Sequence, residues 1–391
     1  MDRKQFLRLT GTVAGGLLMM PDFLYSFGMN DTLAPADSCL LFIQLDGGND
    51  GLNTYIPYND PIYYNLRPNI AIAKNDSIAK SNNMGWHPSL KAFAEMQNNG
   101  DLAVIQNVGY PEPVTSHFRS QEIWQTGSGA RQYLTEGWLG RYLDSHYKEH
   151  HPTAGINIDR IDNLALKGNV PNSITLAKPE YYKSEENAGK DLNKLSSNPR
   201  LDFVRKIALS IPEGAAEVQK AIAKSAASDV TYPKTDLAKN LELIAKLIKG
   251  SLNSKVYYTS FSGFDTHYNQ LALHSSRLTV LNDAVYSLYR DLRAAKKLEQ
   301  VTIVVFSEFG RRAKDNGKGT DHGTAAPVFV IGGKTKGKVI GKNPDLANLD
   351  ENKNLIHQID FRSVYASLLK DKLSFDPAKI GISNKAVQGI F

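Results

Sequence analysis

Short, unbroken apolar runs alternate along this chain with segments whose apolar residues recur every three or four positions. That alternation predicts strands and helices following one another, the pattern of an α/β fold. Leu40 to Leu45, Leu102 to Val108, Lys255 to Phe261, Val301 to Phe306 and Pro327 to Ile331 read as strands. Because the runs are apolar throughout rather than at every second residue, they predict strands covered on both faces in a mostly parallel sheet. Helical spacing appears over Pro88 to Met96, which stops before Asn98-Asn99-Gly100, and at Leu237, Leu241, Ile244, Leu247 and Ile248, closed by Gly250. A longer helix is predicted from about Ser276 to Leu298, with Leu278, Leu281, Val285, Leu288 and Leu292 inward. Thr115-Ser116-His117-Phe118-Arg119 opens another, running to Trp124 and ending near Gly127, with Ser116 as a natural N-cap. From 157 to 232 the alternation gives way to polar sequence, read as an insertion that is mostly helical after Pro199.

The polar residues just beyond the strands carry the candidate chemistry. Leu40 to Leu45 runs into Asp46-Gly47-Gly48-Asn49-Asp50-Gly51, and Lys255 to Phe261 leads to Gly263-Phe264-Asp265-Thr266-His267. Val301 to Phe306 leads to Ser307-Glu308-Phe309-Gly310-Arg311-Arg312, and Asp321-His322-Gly323 precedes Pro327 to Ile331. Open α/β sheets bind ligands outside the carboxyl ends of their strands, so these clusters share one expected address. A single carboxylate there is usually a turn residue or a helix cap. Four clusters of carboxylate and imidazole instead suggest a divalent transition metal such as zinc or manganese, in a site of one or two ions.

Asp321-His322-Gly323-Thr324-Ala325-Ala326-Pro327-Val328 resembles the last metal-ligand motif of the alkaline phosphatase superfamily. Ser307-Glu308-Phe309-Gly310 resembles its strand-end Asp-His-Gly motif, Leu45-Asp46-Gly47 its first metal-binding aspartate, and Trp124-Gln125-Thr126-Gly127 the end of its nucleophile helix. The whole chain also resembles an exported bacterial family of undefined function within that superfamily, through LDGGNDGLN, SHFRSQEIW, GFDTH, SEFGRR, GTDHG and Asp360-Phe361-Arg362-Ser363. The resemblance implies a three-layer α/β sandwich with a mostly parallel central sheet. It implies one metal site of Asp265, His267 and His322 with Asp321 beside them, and a second begun by Asp46 and Glu308. Calcium is a further option for the ion. Two departures stand out: Phe309 holds the place of a histidine, and the nucleophile spacing counted from Gly127 lands on His117. Ser116, next to it, is the alternative nucleophile if it is not simply the helix cap. His117 is open to the roles of nucleophile, ligand or general acid, and Arg119 and Arg311 are candidates to grip an anion.

Composition narrows the classes. The net charge of +6 over 391 residues is modest, and its basic residues are scattered, which does not predict nucleic-acid binding. Arg3-Lys4-Gln5-Phe6-Leu7-Arg8 before a short apolar stretch predicts an export signal over 1–36 of twin-arginine type, with lysine as the second basic residue. The domain proper would be 37–391, periplasmic or extracellular, with no membrane span in the mature chain. Cys39 is the sole cysteine, so no disulfide forms within the chain. The function expected is an exported metal-dependent hydrolase of sulfate or phosphate esters; the competing expectation is a non-catalytic binding or surface-assembly protein on the same fold.

Overall fold

The structure, a computed structural model, describes residues 38–147, 149–177 and 213–391. The expected export signal over 1–36 and the middle of the expected insertion lie outside the described residues. In chain order the strands are β1 (Cys39–Asp46), β2 (Tyr55–Ile56), β3 (Ile78–Ser81), β4 (Met84–Trp86), β5 (Leu102–Gly109) and β6 (Gly155–Asn157). They continue as β7 (Ser173–Thr175), β8 (Val256–Ser262), β9 (Val301–Ser307), β10 (Ala326–Gly332), β11 (Val339–Ile340) and β12 (Ile359–Asp360). Among the described residues the main sheet runs β11-β5-β10-β9-β1-β8-β6-β7, with β12 also on β5, while β2, β4 and β3 form a small separate sheet.

Both faces of the main sheet are covered, as the unbroken apolar runs require. On one face Leu41, Ile43, Ile303 and Val305 pack with α1 (Lys91–Asn98), α4 (Asp236–Lys249) and α5 (Gln270–Ala294). On the other, Phe42, Val304 and Phe306 meet α2 (His117–Thr126), α3 (Trp138–His146) and α6 (Phe361–Ser367) through Trp124, Trp138, Phe361 and Tyr365. The molecule is therefore the expected three-layer α/β sandwich. Helix α5 starts at Gln270, earlier than the apolar spacing predicts, because the buried residues of its first turns are Gln270 and His274.

β1 is parallel to β8 and β9, and β6 is parallel to β7 and β8. Among the described residues of the main sheet, only β10 runs against its neighbours, β5 and β9. Within the stretch expected as an insertion, β7 extends the sheet and 213–224 are helical, with Val218 and Ala221 in the core. Three-residue strands are too short to show a period, so the sequence pattern missed them.

Candidate metal centre

Register brings the strand ends together. Asp46 pairs with Ser262 and Leu45 with Ser307, so the loops after β1, β8 and β9 leave the sheet side by side. β10, being antiparallel, enters the sheet from that same edge and places Asp321-His322 there. β5 ends at this edge too and leads to α2, whose first residue is His117. Gly47 and Gly48 make the close approach workable: both have positive φ, and a side chain at Gly47 would stand 2.3 Å from the Asp265 backbone nitrogen.

Asp265 Oδ1 lies 3.0 Å from His267 Nε2 and 3.2 Å from His322 Nε2, and the two Nε2 atoms are 3.0 Å apart. His117 Nε2 is 3.5 Å from the same oxygen, and His117, Asp265 and His322 offer ligand atoms all within 4.8 Å of one another. The opposite edge of each imidazole is tied down. His322 Nδ1 donates to the Thr115 carbonyl at 2.8 Å, since a carbonyl oxygen can only accept. His267 Nδ1 lies 3.3 Å from Asp321 Oδ1, and His117 Nδ1 lies 2.8 Å from Glu308 Oε1. Those oxygens also accept from Asn316 Nδ2 and the Gly47 N–H, so they are acceptors toward the rings. With its hydrogen on Nδ1, each neutral ring turns a lone pair inward. The result is a carboxylate oxygen and imidazole lone pairs converging on one another, an arrangement a cation completes. A single proton between His267 and His322 would satisfy only one of these contacts.

Burial and neighbouring charges shift the groups around this cluster. Burial alone would raise Asp265, but the hydrogen bond and charge of Arg311, followed by His322 and His267, outweigh it and hold the carboxyl down to about 2. The hydrogen bond to Glu308 raises His117 from the ordinary histidine value. Asp46 is pushed up to about 7 by burial, opposed by its Gln44 hydrogen bond and reinforced by Glu308.

Several expected roles change once geometry is considered. Asp321 stands behind His267, where it aims the ring rather than joining the inward-facing atoms. Glu308, fully buried, spends Oε1 on His117 and Gly47 and has Oε2 2.9 Å from Ser307 Oγ. Its expected partner Asp46 is bound to Gln44 at 2.6 Å and Gln121 at 3.4 Å. Phe309, where an imidazole was expected, is buried with its ring centroid 5.0 Å from those of both His117 and His322, and walls the centre with hydrocarbon. Arg311 is buried as well: Nε donates to Gly48 O at 2.8 Å, Nη1 to Thr320 O at 2.9 Å, and Nη2 to Asp265 Oδ1 at 2.6 Å and to the Gly47 and Phe264 carbonyls. Its nitrogens serve loop carbonyls that would otherwise be buried unpaired, leaving no open face for an anion. Arg119 bonds the carbonyls of Ala130 and Gln132 at 2.9 and 2.6 Å, pairs with Glu122 at 2.7 Å and lies over the Tyr133 ring. Ser116 is exposed at the N-cap of α2 without a capping hydrogen bond from its side chain.

Sequence reasoning missed the support beneath these loops. Arg67, fully buried, pairs with Asp50 Oδ2 at 2.6 Å, bonds Asn53 Oδ1 at 2.7 Å, and donates to the carbonyls of Ala313 and Arg312 at 2.8 Å each. Gln270 joins Asp50 to Thr320, whose Oγ1 donates to Gln270 Oε1 at 2.6 Å. A polar residue in a loop, with its partner 17 positions away, leaves no local pattern to read.

Fold and site together define an α/β protein with a candidate metal centre at the carboxyl edge of its sheet. The chain belongs to the family described as Protein of unknown function (DUF1501), whose model matches residues 103–372. Comparison with curated proteins gave no significant match. Similar solved structures include a phosphonate monoester hydrolase from Silicibacter pomeroyi, at 8% identity over 89% of this chain and 75% of that one, TM-score 0.44. A protein in the alkaline phosphatase superfamily from Vibrio parahaemolyticus is similar at 11% identity over 97% of this chain and 78% of that one, TM-score 0.40. A sulfatase from Pseudoalteromonas sp. is similar at 13% identity over 90% and 73%, TM-score 0.39. The chain's own topology and cluster carry the reading that follows. No helix among the described residues is long and apolar enough to cross a membrane.

Proposed function

We propose that this protein is an exported, metal-dependent hydrolase of phosphate or sulfate esters, of the alkaline phosphatase type, with Asp265, His267 and His322 holding one divalent ion such as zinc or manganese. The observation that carries it is the convergence of Asp265 Oδ1 and the two Nε2 atoms within 3.0 to 3.2 Å, each ring aimed from behind by an oxygen acceptor. A bound ion would polarise an ester oxygen and offset negative charge developing there. Arg311 holds Asp265 in its ionised form, Asp321 and the Thr115 carbonyl fix the two rings, and Phe309 keeps water from one side of them. Export rests on the pattern in residues 1–36, and the anionic ester on the resemblance together with the cationic character such a centre would have.

One observation favours the second reading, a non-catalytic binding or surface-assembly protein: Arg119 and Arg311, the cations expected to grip an anion, are engaged inside the protein. Metal content of the purified full chain by mass spectrometry, with a screen of sulfate and phosphate mono- and diesters in the presence and absence of chelator, separates the two. The hydrolase reading expects about one equivalent of metal, lost in His322→Ala, and ester cleavage that chelator stops. Metal without cleavage supports the second reading; no difference in metal between wild type and His322→Ala defeats the hydrolase reading.

A further inference from the structure

His117 occupies the place where the sequence pattern puts an attacking group, yet its surroundings are those of a ligand. We infer that His117 is the fourth member of a closed set of three histidines and one aspartate, and that Glu308 is the residue that positions it. The inference rests on the metal reading above and narrows it.

Three observations carry it. His117 Nε2 is buried and has no hydrogen-bond partner, although its ring is partly exposed. An atom that is to attack a substrate or exchange protons with solvent needs an open approach, whereas a ligand atom needs only its ion. Second, His117 repeats the arrangement of the other two rings, with Nδ1 on an oxygen acceptor, here Glu308 at 2.8 Å, and Nε2 facing Asp265. With the hydrogen already on Nδ1, Nε2 can donate its lone pair to an ion without releasing a proton. Third, His117 stands close enough to share an ion with this cluster: His117, Asp265 and His322 offer ligand atoms all within 4.8 Å of one another. Bonds of about 2.0–2.1 Å to zinc place the corners of a tetrahedron roughly 3.3–3.4 Å apart. The separations here are 3.0, 3.0 and 3.2 Å among Asp265, His267 and His322, and 3.5 Å from His117 Nε2 to Asp265 Oδ1.

Catalytic zinc sites usually keep one position open, while four protein ligands close the site. On this inference the chain has exchanged an attacking group for a ligand, and a substrate reaches the ion only if His117 yields its place or the coordination expands.

Titration of the full chain with cobalt, read through its visible d–d absorption, tests this apart from any activity. Wild type is expected to bind one cobalt with an intense tetrahedral spectrum that added imidazole does not alter. His117→Ala should bind at least tenfold more weakly, with a spectrum that changes on adding imidazole as the vacated position fills. Glu308→Gln should keep the tetrahedral spectrum and lose about tenfold or more in affinity, the usual effect of removing a carboxylate behind a ligating histidine. His117→Gln, which retains polar bulk, guards against collapse of the loop and should also lose the wild-type spectrum. Wild-type affinity and an unchanged spectrum in both His117 variants would overturn the inference while leaving the three-ligand centre standing. Failure of the wild type to bind cobalt would overturn both.

Discussion

Two clusters of polar side chains share the loops at the carboxyl edge of the sheet, and they are finished to different degrees. Around Asp50 the network closes on itself: every Arg67 nitrogen meets an oxygen, Asn53 donates to the Ile70 carbonyl at 2.7 Å, and Tyr63 donates to Asn53 at 2.8 Å. Around Asp265, which accepts from Arg311, the two Nε2 atoms of His267 and His322 crowd the same oxygen and each other, and the Nδ1 atoms of both rings face outward. Folding alone completes the first cluster, while the second is the one proposed above to take a cation. The two are coupled because Thr320 touches both, through its hydroxyl to Gln270 and its carbonyl to Arg311. The closed network therefore sets the loop geometry on which the open one depends.

If this division is right, cutting the closed network should cost the most. Removing one partner of a buried ion pair leaves the other charged and unsolvated, so Arg67→Ala or Asp50→Ala should lower the unfolding free energy by about 3–5 kcal/mol. Urea denaturation measures this directly, and a loss below about 1 kcal/mol would show that the network is not the scaffold. His322→Ala should behave in the opposite manner. Its ring is partly exposed, so the metal-free protein should lose little stability, but the variant should lose the stabilisation that metal confers on the wild type. At a free metal concentration a hundredfold above the dissociation constant, that stabilisation is about 2.7 kcal/mol. Denaturation with and without zinc gives the comparison, and equal zinc responses in both proteins would remove His322 from the ligand set.

The two clusters also differ in how far the sequence revealed them. Asp265, His267 and His322 were legible because each follows or precedes an apolar run, and strand ends in an α/β sheet are a known address. The direction of β10 was not legible, since an apolar run reads the same in a parallel or an antiparallel strand. That direction is what brings His322, which precedes its strand, to the edge where Asp265 follows one. The roles of Arg311 and Glu308 were hidden for a related reason: charge and position suggested contact with a ligand, and only the fold shows that nearby carbonyls and His117 claim them first. Arg67 left no trace, because its importance comes entirely from what the folded loops bring to it.

Titration should sharpen the contrast further. His274 beneath the glycine-rich turn is pressed down to about 3 by burial, and His87 to about 4, also by burial. Both stay neutral in the fold, whereas the ordinary histidine value of 6.5 means that the unfolded chain takes up protons first as pH falls. The unfolded state then binds more protons, so stability is complete above about pH 6.5 and declines as pH drops from there toward 4 and 3. Between about pH 7 and 5.5 the expected loss is about 2–3 kcal/mol for the two histidines together. His274→Gln, followed by urea denaturation across this range, should flatten part of the slope; an unchanged slope would place the acid sensitivity elsewhere.

The smallest effect separates Ser116 from its neighbour. An N-cap serine that bonds the helix backbone contributes about 1 kcal/mol, but Ser116 makes no such bond and its side chain is exposed. Ser116→Ala should therefore change stability by less than about 0.5 kcal/mol and leave cobalt binding intact. If His117 is a ligand and the attacking oxygen comes from water, the variant should also keep any ester hydrolysis the wild type shows. Loss of hydrolysis with metal binding retained would instead make the hydroxyl the attacking group. The open cluster would then be a three-ligand catalytic site, with His117 serving beside it rather than within it.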